Sequence, residues 1–218
     1  MLLMIAEYYS WLPSLLSGLG ISLLVALLSL SVGIPLGLGL ALLVQSAWWP
    51  ARWFALFIVE IGRGAPALVI LQFVYFGLPT AGLTLGAVTS AVIALAWNTG
   101  AYTSEIIRAG LEAVPAGQKE AAITINLSRI DTLRFIILPQ AFRVVAPPLL
   151  GFSILIFQAT SLCFTISVPE LVSRAYEIGS NTFQYFPVLM MAGILYAVIC
   201  IPASLIVSHA ERKAGQHL

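Results

Sequence analysis

The residues able to do chemistry are few, and they sit beside or inside long apolar stretches. Glu60, Arg63, Glu105 and Arg108 flank such stretches, while Asn98, Gln158, Thr160 and Ser161 lie within them. A catalytic or metal centre needs a convergent set of acids, bases or ligands. The two histidines, His209 and His217, lie near the C-terminal end, and the two cysteines, Cys163 and Cys200, lie in apolar runs where a thiol behaves as a small hydrophobe. This distribution argues against an enzyme, a disulfide and a metal site. No Gly-x-x-x-x-Gly-Lys-Ser/Thr loop occurs, so any ATP chemistry belongs to another chain. The chemistry left is polar recognition in an apolar medium. Asn98, Gln158, Thr160 and Ser161 have two open readings, the lining of a passage for a polar solute and hydrogen bonding between helices. For the charged four, spacings of three residues allow Glu60 to pair with Arg63 and Glu105 with Arg108 on one helix face. Structural anchoring of an inner gate is the reading this spacing favours.

The elements that hold these residues are set by composition. Of 218 residues, 60% are hydrophobic and 9% charged, with a mean hydropathy of +1.01; soluble domains are about a quarter charged. Charge is absent for 44 residues after Glu7, 41 after Arg63, 26 after Arg143 and 33 after Glu177. Each run exceeds the roughly 20 apolar residues that cross a bilayer as a helix. The turn-forming cluster Gly77-Leu78-Pro79-Thr80-Ala81-Gly82 divides the second run. The expected fold is an all-α integral membrane domain covering residues 1–218, with five helices at 14–44, 53–78 (broken at 62–66), 85–107, 136–163 and 186–208. No repeat or linker divides it, and a net charge of +1 gives no case for nucleic-acid binding. The first ten residues lack Lys and Arg, unlike a cleaved signal peptide.

Orientation follows from basic residues, which gather on the cytoplasmic side. With the N-terminus outside and the C-terminus inside, Arg52, Arg63, Arg108, Lys119, Arg129, Arg134, Arg143, Arg212 and Lys213 are internal or at the inner boundary, against Arg174 outside. The large inner loop is then 111–135, and the tail from Glu211 to Leu218 is inside. On the outer side, Pro169-Glu170 followed by Leu171, Val172, Ala175 and Ile178 predicts a short amphipathic helix starting at the proline.

The inner loop predicts two short helices meeting at Asn126. The first begins near Pro115, carries Glu120, Ala121 and Ala122, and ends at Asn126, a residue type that tolerates the left-handed conformation of helix ends. Ser128 with Asp131 three residues on approximates a capping box for the second. Physics leaves two readings for this segment, a helix seated in a groove of a partner protein and an amphipathic helix resting on lipid headgroups.

Residue types at long spacing resolve that choice. Glu120-Ala121-Ala122, Asn126 and Ile136-Ile137-Leu138-Pro139 resemble the EAA loop of ABC-importer permeases, with Asn126 in place of the family's glycine. Glu60-Ile61-Gly62-Arg63-Gly64-Ala65-Pro66 resembles the E-x-x-R-G-T-P segment of polar amino acid permeases of the histidine, glutamine and arginine type. Trp97-Asn98-Thr99-Gly100-Ala101-Tyr102 with Glu105 and Arg108 resembles their N-S-G-A-Y-x-x-E-x-x-R-G stretch. Leu138-Pro139-Gln140-Ala141-Phe142-Arg143, Pro147-Pro148 and Val168-Pro169-Glu170-Leu171 continue the match over nearly the whole chain. The resemblance implies a type I ABC-importer transmembrane domain in the bacterial inner membrane. It implies coupling through Glu120, Ala121, Ala122, Asn126, Leu138 and Pro139 to ATPase subunits, which supply ATP and Mg while this chain carries no cofactor. It also implies a second permease subunit, identical or related, and an extracytoplasmic substrate-binding protein. Where the family often has Lys-Asp-Thr-Ser-Leu, this chain has Gln158-Ala159-Thr160-Ser161-Leu162. Loss of the carboxylate points to a neutral polar or zwitterionic amino acid or derivative rather than a cationic one. The rival function is an ATP-independent secondary transporter or channel for small polar solutes, whose folds often show repeated halves that are absent here.

Overall fold

The computed structural model describes the backbone of residues 2–215, with the side chains of all of these except 2–7, 119, 129 and 213–215. The end of the expected inner tail, including His217, lies outside the described residues. Nine α-helical segments are present among them. They are α1 (Leu2–Val44), α2 (Trp49–Gly64), α3 (Ala67–Gln72), α4 (Ala87–Glu112), α5 (Ala116–Thr124), α6 (Arg129–Asp131), α7 (Leu138–Ala159), α8 (Leu171–Thr182) and α9 (Tyr185–Gly215).

The first helix begins twelve residues before the expected boundary at 14 and carries Pro13 and Pro35 in its body. Pro13 forfeits one bond, to the carbonyl of Tyr9. Tyr9 is exposed, and near a helix end water or headgroups can supply the missing partner.

Three helical rods are long and apolar enough to cross a membrane: Tyr8–Val44, Thr132–Ile166 and Tyr185–Arg212. A fourth candidate is the pair Trp49–Gly64 and Ala67–Ala81, bent by 108° at their junction. The expected helix at 53–78 is therefore two helices at a sharp angle, and five apolar spans reduce to three or four. The difference comes from α4. Its 26 residues span about 39 Å, yet its sequence is not apolar. It is the helix most enclosed by the others, packing on α1, α2, α3 and α7. Small and polar residues, among them Ser90, Ala94, Asn98, Thr99, Gly100, Thr103 and Ser104, are buried in those contacts.

Close approach makes this enclosure possible. A Cβ added at Gly37 of α1 would lie 2.0 Å from Thr103 Oγ1, and one at Gly33 would lie 2.5 Å from Thr99 Cβ. The two glycines, four residues apart, form the small-residue stripe by which membrane helices reach backbone contact. Two turns further along the same face of α4, Gly110 admits Val145 of α7, whose Cγ2 a Cβ would meet at 2.0 Å.

The segment after α4 keeps the chain continuous. Between α6 and α7, residues Thr132–Ile137 form a π-turn in which the Leu138 N–H donates to the Leu133 carbonyl. Pro139 follows at once. Its ring and missing N–H are incompatible with a regular turn at that point, and the wider turn accommodates them. The second short helix of the loop is thus the first turn of a rod reaching Ile166, not a separate element ending before Pro139.

The short helix expected on the outer side, α8, begins at Leu171, two residues beyond the expected proline, because Glu170 is its N-cap. The Glu170 carboxylate accepts from the Val172 N–H at 2.9 Å and the Ser173 N–H at 2.7 Å. It also accepts from Tyr196 Oη of α9 at 3.2 Å and Ser22 Oγ of α1 at 3.4 Å. The side chain is fully buried. Burial raises its pKa above the usual carboxylate range, opposed by these donors. A raised folded-state pKa means that folding favours the protonated form, so its contribution is fully present at low pH and is lost as pH climbs to the raised value.

Two predictions follow from this packing. Gly37→Ala forces overpacking that costs about 1–3 kcal/mol and lowers the thermal midpoint of the detergent-purified protein by several degrees. Gly39→Ala, where an added Cβ meets nothing within 4 Å, leaves the midpoint unchanged. Glu170→Ala strands the Val172 and Ser173 N–H groups and costs about 1–3 kcal/mol. Glu170→Gln keeps an acceptor, loses less, and removes the decline in midpoint between the usual carboxylate pKa and the raised one.

Candidate substrate passage and docking loop

The break between α2 and α3 is set by Pro66. With no N–H, Pro66 leaves the Gly62 carbonyl without its partner one turn on. Asn98 of α4 supplies one, its Nδ2 donating to Gly62 O at 3.0 Å. Tyr102 Oη donates to Arg63 O at 3.2 Å, and Trp97 Nε1 to Ile58 O at 3.2 Å. Gly62 has no side chain because none fits: a Cβ would lie 2.6 Å from Ala101 Cβ and 3.0 Å from Trp97 Nε1. Asn98 is buried and engaged between helices, which is the hydrogen-bonding alternative left open above.

The charged residues pair across helices as well as along one. Arg63 of α2 reaches Glu105 of α4 at 3.7 Å, so no Glu60–Arg63 pair forms. Arg108 holds Glu105 through a close contact and a second bond from Nε at 3.2 Å. It also bonds Glu112 at 2.6 Å, a partner the three-residue spacing did not suggest. The Arg63 guanidinium sits 6.0 Å from the Tyr102 ring centroid.

Gln158 and Ser161 come together in a separate place, lining a cavity of about 290 Å³ with Val172, Leu189, Ala192, Gly193 and Tyr196. Thr160 is buried beside it, donating to the Phe157 carbonyl at 2.7 Å and lying 3.5 Å from Tyr196 Oη. Ser161 Oγ donates to Gln158 O at 2.8 Å. Asn98 does not line this cavity. Tyr196 does, and its hydroxyl also reaches Glu170, so one ring touches both the cavity and the cap of the outer helix. Nothing in the sequence marked Tyr196, because a lone tyrosine in an apolar helix has no local signature.

The loop helix α5 ends as Asn126 suggested. Asn126 adopts φ of 59°. Its N–H donates to Ile123 O at 2.9 Å, and the Leu127 N–H donates to Ala122 O at 3.0 Å. These are the two bonds of a Schellman closure. Ser128 Oγ accepts from the Asp131 N–H at 3.1 Å and donates to Asp131 Oδ2 at 2.6 Å. That is half a capping box, the acid meeting the hydroxyl rather than the backbone. The helix packs on the π-turn of 132–137, and Ala122 is fully buried, whereas Glu120, Ala121 and Asn126 face out. Ile123, Ile125 and Ile130 also face out, at 72%, 70% and 75% exposure. Leu138 and Pro139 are exposed where the π-turn joins α7.

Known proteins resemble this chain over most of its length. Residues 33–216 match the profile of the family described as binding-protein-dependent transport system inner membrane component. The L-cystine transport system permease protein TcyB of Bacillus subtilis is 40% identical over 210 residues, covering 96% of this chain and 90% of that one. The probable amino-acid ABC transporter permease protein YckA of Bacillus subtilis is 36% identical over 206 residues, covering 94% and 91%. Among solved structures, an amino acid ABC transporter crystallised with histidines has a chain that superposes with a TM-score of 0.89 at 34% identity, covering 97% of both chains. An inward-facing methionine ABC transporter shares the fold at a TM-score of 0.66 and 18% identity, covering 94% of this chain and 98% of that one. With a family profile spanning most of its length and close relatives aligned almost end to end, this chain belongs to the family of binding-protein-dependent transport system inner membrane components.

Proposed function

We propose that the chain is the permease subunit of an ATP-driven importer in the bacterial inner membrane, which takes up a polar amino acid or related small zwitterion by alternating access. One observation carries this reading. The helical rod Thr132–Ile166 bears the docking loop at its start and Gln158 and Ser161 of the cavity near its far end. The 27 residues from 132 to 158 span about 39 Å as a helix. Movement of a partner seated on the loop therefore reaches the cavity as rigid-body displacement of one element, the type of transition by which packed helices switch between two arrangements.

The partner is a separate ATPase, which holds ATP and Mg. Glu120, Ala121 and Asn126 face it, joined by Ile123, Ile125 and Ile130, whose exposed side chains need an apolar surface to cover them. Ala122 acts from inside, seating α5 on its own rod, and Leu138 and Pro139 carry movement into α7. A second permease subunit, identical or related, and an extracytoplasmic binding protein complete the importer. The chain crosses the bilayer five times, counting the bent pair and α4, with its N-terminus outside; the nine internal basic residues against one external support this orientation. Glu60, Arg63, Glu105 and Arg108 belong to the inner gate.

The substrate is neutral in net charge. The cavity's polar groups are Gln158, Ser161 and Tyr196, without a carboxylate to select a cation, and L-cystine, named for one relative, is a zwitterion of this class. Competition with labelled amino acids in cells checks it: neutral polar amino acids should compete, and selective uptake of arginine would exclude the assignment.

Docking is tested in the reconstituted importer. Glu120→Lys, Ala121→Asp and Ile123→Asp should each leave insertion intact and lower ATP-dependent uptake about tenfold or more, the loss expected on spoiling an interface hot spot. Unchanged uptake in all three would remove the docking role, and uptake by the chain in liposomes without an ATPase would favour an ATP-independent transporter.

A further inference from the structure

A second cavity, of about 650 Å³, lies between the end of α1, the length of α2 and the second half of α4. It is lined by three arginines, Arg52, Arg63 and Arg108, and three glutamates, Glu60, Glu105 and Glu112. Four of the six are engaged in the Arg63–Glu105, Arg108–Glu105 and Arg108–Glu112 pairs. Arg52 and Glu60 have no counter-ion among the described residues, although both line the cavity. They lie eight residues apart on one helix, about 12 Å along its axis. An unpaired cation and an unpaired anion thus face the same space, in a wall whose charges otherwise balance.

The surroundings fix the depth of this cavity. Trp48, Trp49 and Trp53 are 69%, 69% and 60% exposed, and Trp and Tyr collect where a bilayer meets water, at headgroup level. On a helical projection of α2, with about 100° per residue, Glu60 falls between Trp49 and Trp53, so the charged wall adjoins the aromatic face. The same face continues through Phe57, also exposed. A molecule entering from that side presents a polar head to the charges and an apolar body to the aromatic rings.

We propose that this cavity is a binding site for a zwitterionic phospholipid with a primary ammonium headgroup, its phosphate on Arg52 and its ammonium on Glu60. The balanced wall selects the class. A net-anionic headgroup would satisfy Arg52 but leave Glu60 unpaired beside added negative charge. A choline headgroup would bring a cation that cannot donate a hydrogen bond to the Glu60 carboxylate. A phosphoethanolamine headgroup completes both charges with charge-assisted hydrogen bonds, the strong kind. Such a lipid would wedge the gate residues of α2 and α4 at a fixed spacing. The site requires only that the chain sits in a bilayer, and its readout below is lipid retention, so its failure would leave the importer reading, tested by uptake, untouched.

The test uses the complete importer, permease with its ATPase, purified from vesicles of equal parts phosphatidylethanolamine, phosphatidylcholine and phosphatidylglycerol. Native mass spectrometry during graded delipidation reports which lipid stays longest. Phosphatidylethanolamine should be retained in preference to the other two. Arg52→Gln and Glu60→Gln should each reduce that retention about tenfold, the loss of one charge-assisted hydrogen bond, while Arg52→Lys preserves it. The selectivity of the unaltered importer needs no variant and decides the matter even where a substitution prevents assembly. Equal retention of all three lipids, preference for phosphatidylglycerol, or retention indifferent to both glutamine substitutions would overturn the proposal. Displacement of the lipid by millimolar L-glutamine would overturn it too, by making the cavity an amino-acid site.

Discussion

A backbone carbonyl in a membrane cannot be left without a donor, and the arrangement of this chain depends on how that requirement is met at one point. Pro66 removes the donor for Gly62 O and lets the chain turn by 108°. The turn is tolerable because α4 brings Asn98 and Tyr102 to the carbonyls of Gly62 and Arg63 at the break, while Trp97 adds a bond to Ile58 O within α2. Each such unsatisfied group in a bilayer costs several kcal/mol. The polar residues of α4 and the break in the preceding helix are thus two halves of one solution. They also explain why α4 must sit inside: a helix with these side chains facing lipid would carry the same cost itself.

The enclosure of α4 then makes it the common surface on which α1, α2 and α7 all pack. Gly33 and Gly37 hold α1 against α4 at backbone contact, and the Arg63–Glu105 pair ties α2 to the C-terminal half of the same helix. Interfaces packed this tightly do not deform continuously; they hold or shift as a unit. The rod of α6, the π-turn and α7 joins the same packing through Val145 at Gly110. Its loop end projects α5 with isoleucines left exposed among the described residues, and its far end meets α9 and the cap of α8 through Tyr196. A π-turn beside Pro139 lets the rod run on from the loop to Ile166 without a break.

Much of this was legible in the residues because the controlling effects are local. The Asn126 closure, the Ser128–Asp131 contact and the amphipathic α8 each depend on side chains within a turn of one another, and each appears where the sequence suggests. Expectations went astray where local signals compete with distant ones. Pro13 reads as a boundary, yet the helix runs through it because one lost bond near an exposed end matters little. Pro169 reads as the start of α8, but Glu170 two residues from its first bonded N–H makes a better cap and is buried by α1 and α9. Arg63 has Glu60 one turn away and pairs instead with Glu105, a partner 42 positions distant in the chain. Glu60 is left facing a cavity that no spacing rule reveals.

Composition and charge spacing alone settled that the chain is helical and membrane-embedded, because burial in lipid requires apolar length that can be counted directly. Ordered motifs settled where the helices of the inner loop end and begin for the same kind of reason, since caps and turns are short-range. Tertiary structure decided which helix is central, how sharply the chain bends at Pro66, and which side chains share a cavity. Those outcomes rest on contacts between residues far apart in sequence, where a glycine's value lies in what approaches it and a carbonyl's partner comes from another helix. The loop face was decided there too: Ala122 turns inward and Ile123, Ile125 and Ile130 outward only once α5 is laid against the rod that follows it.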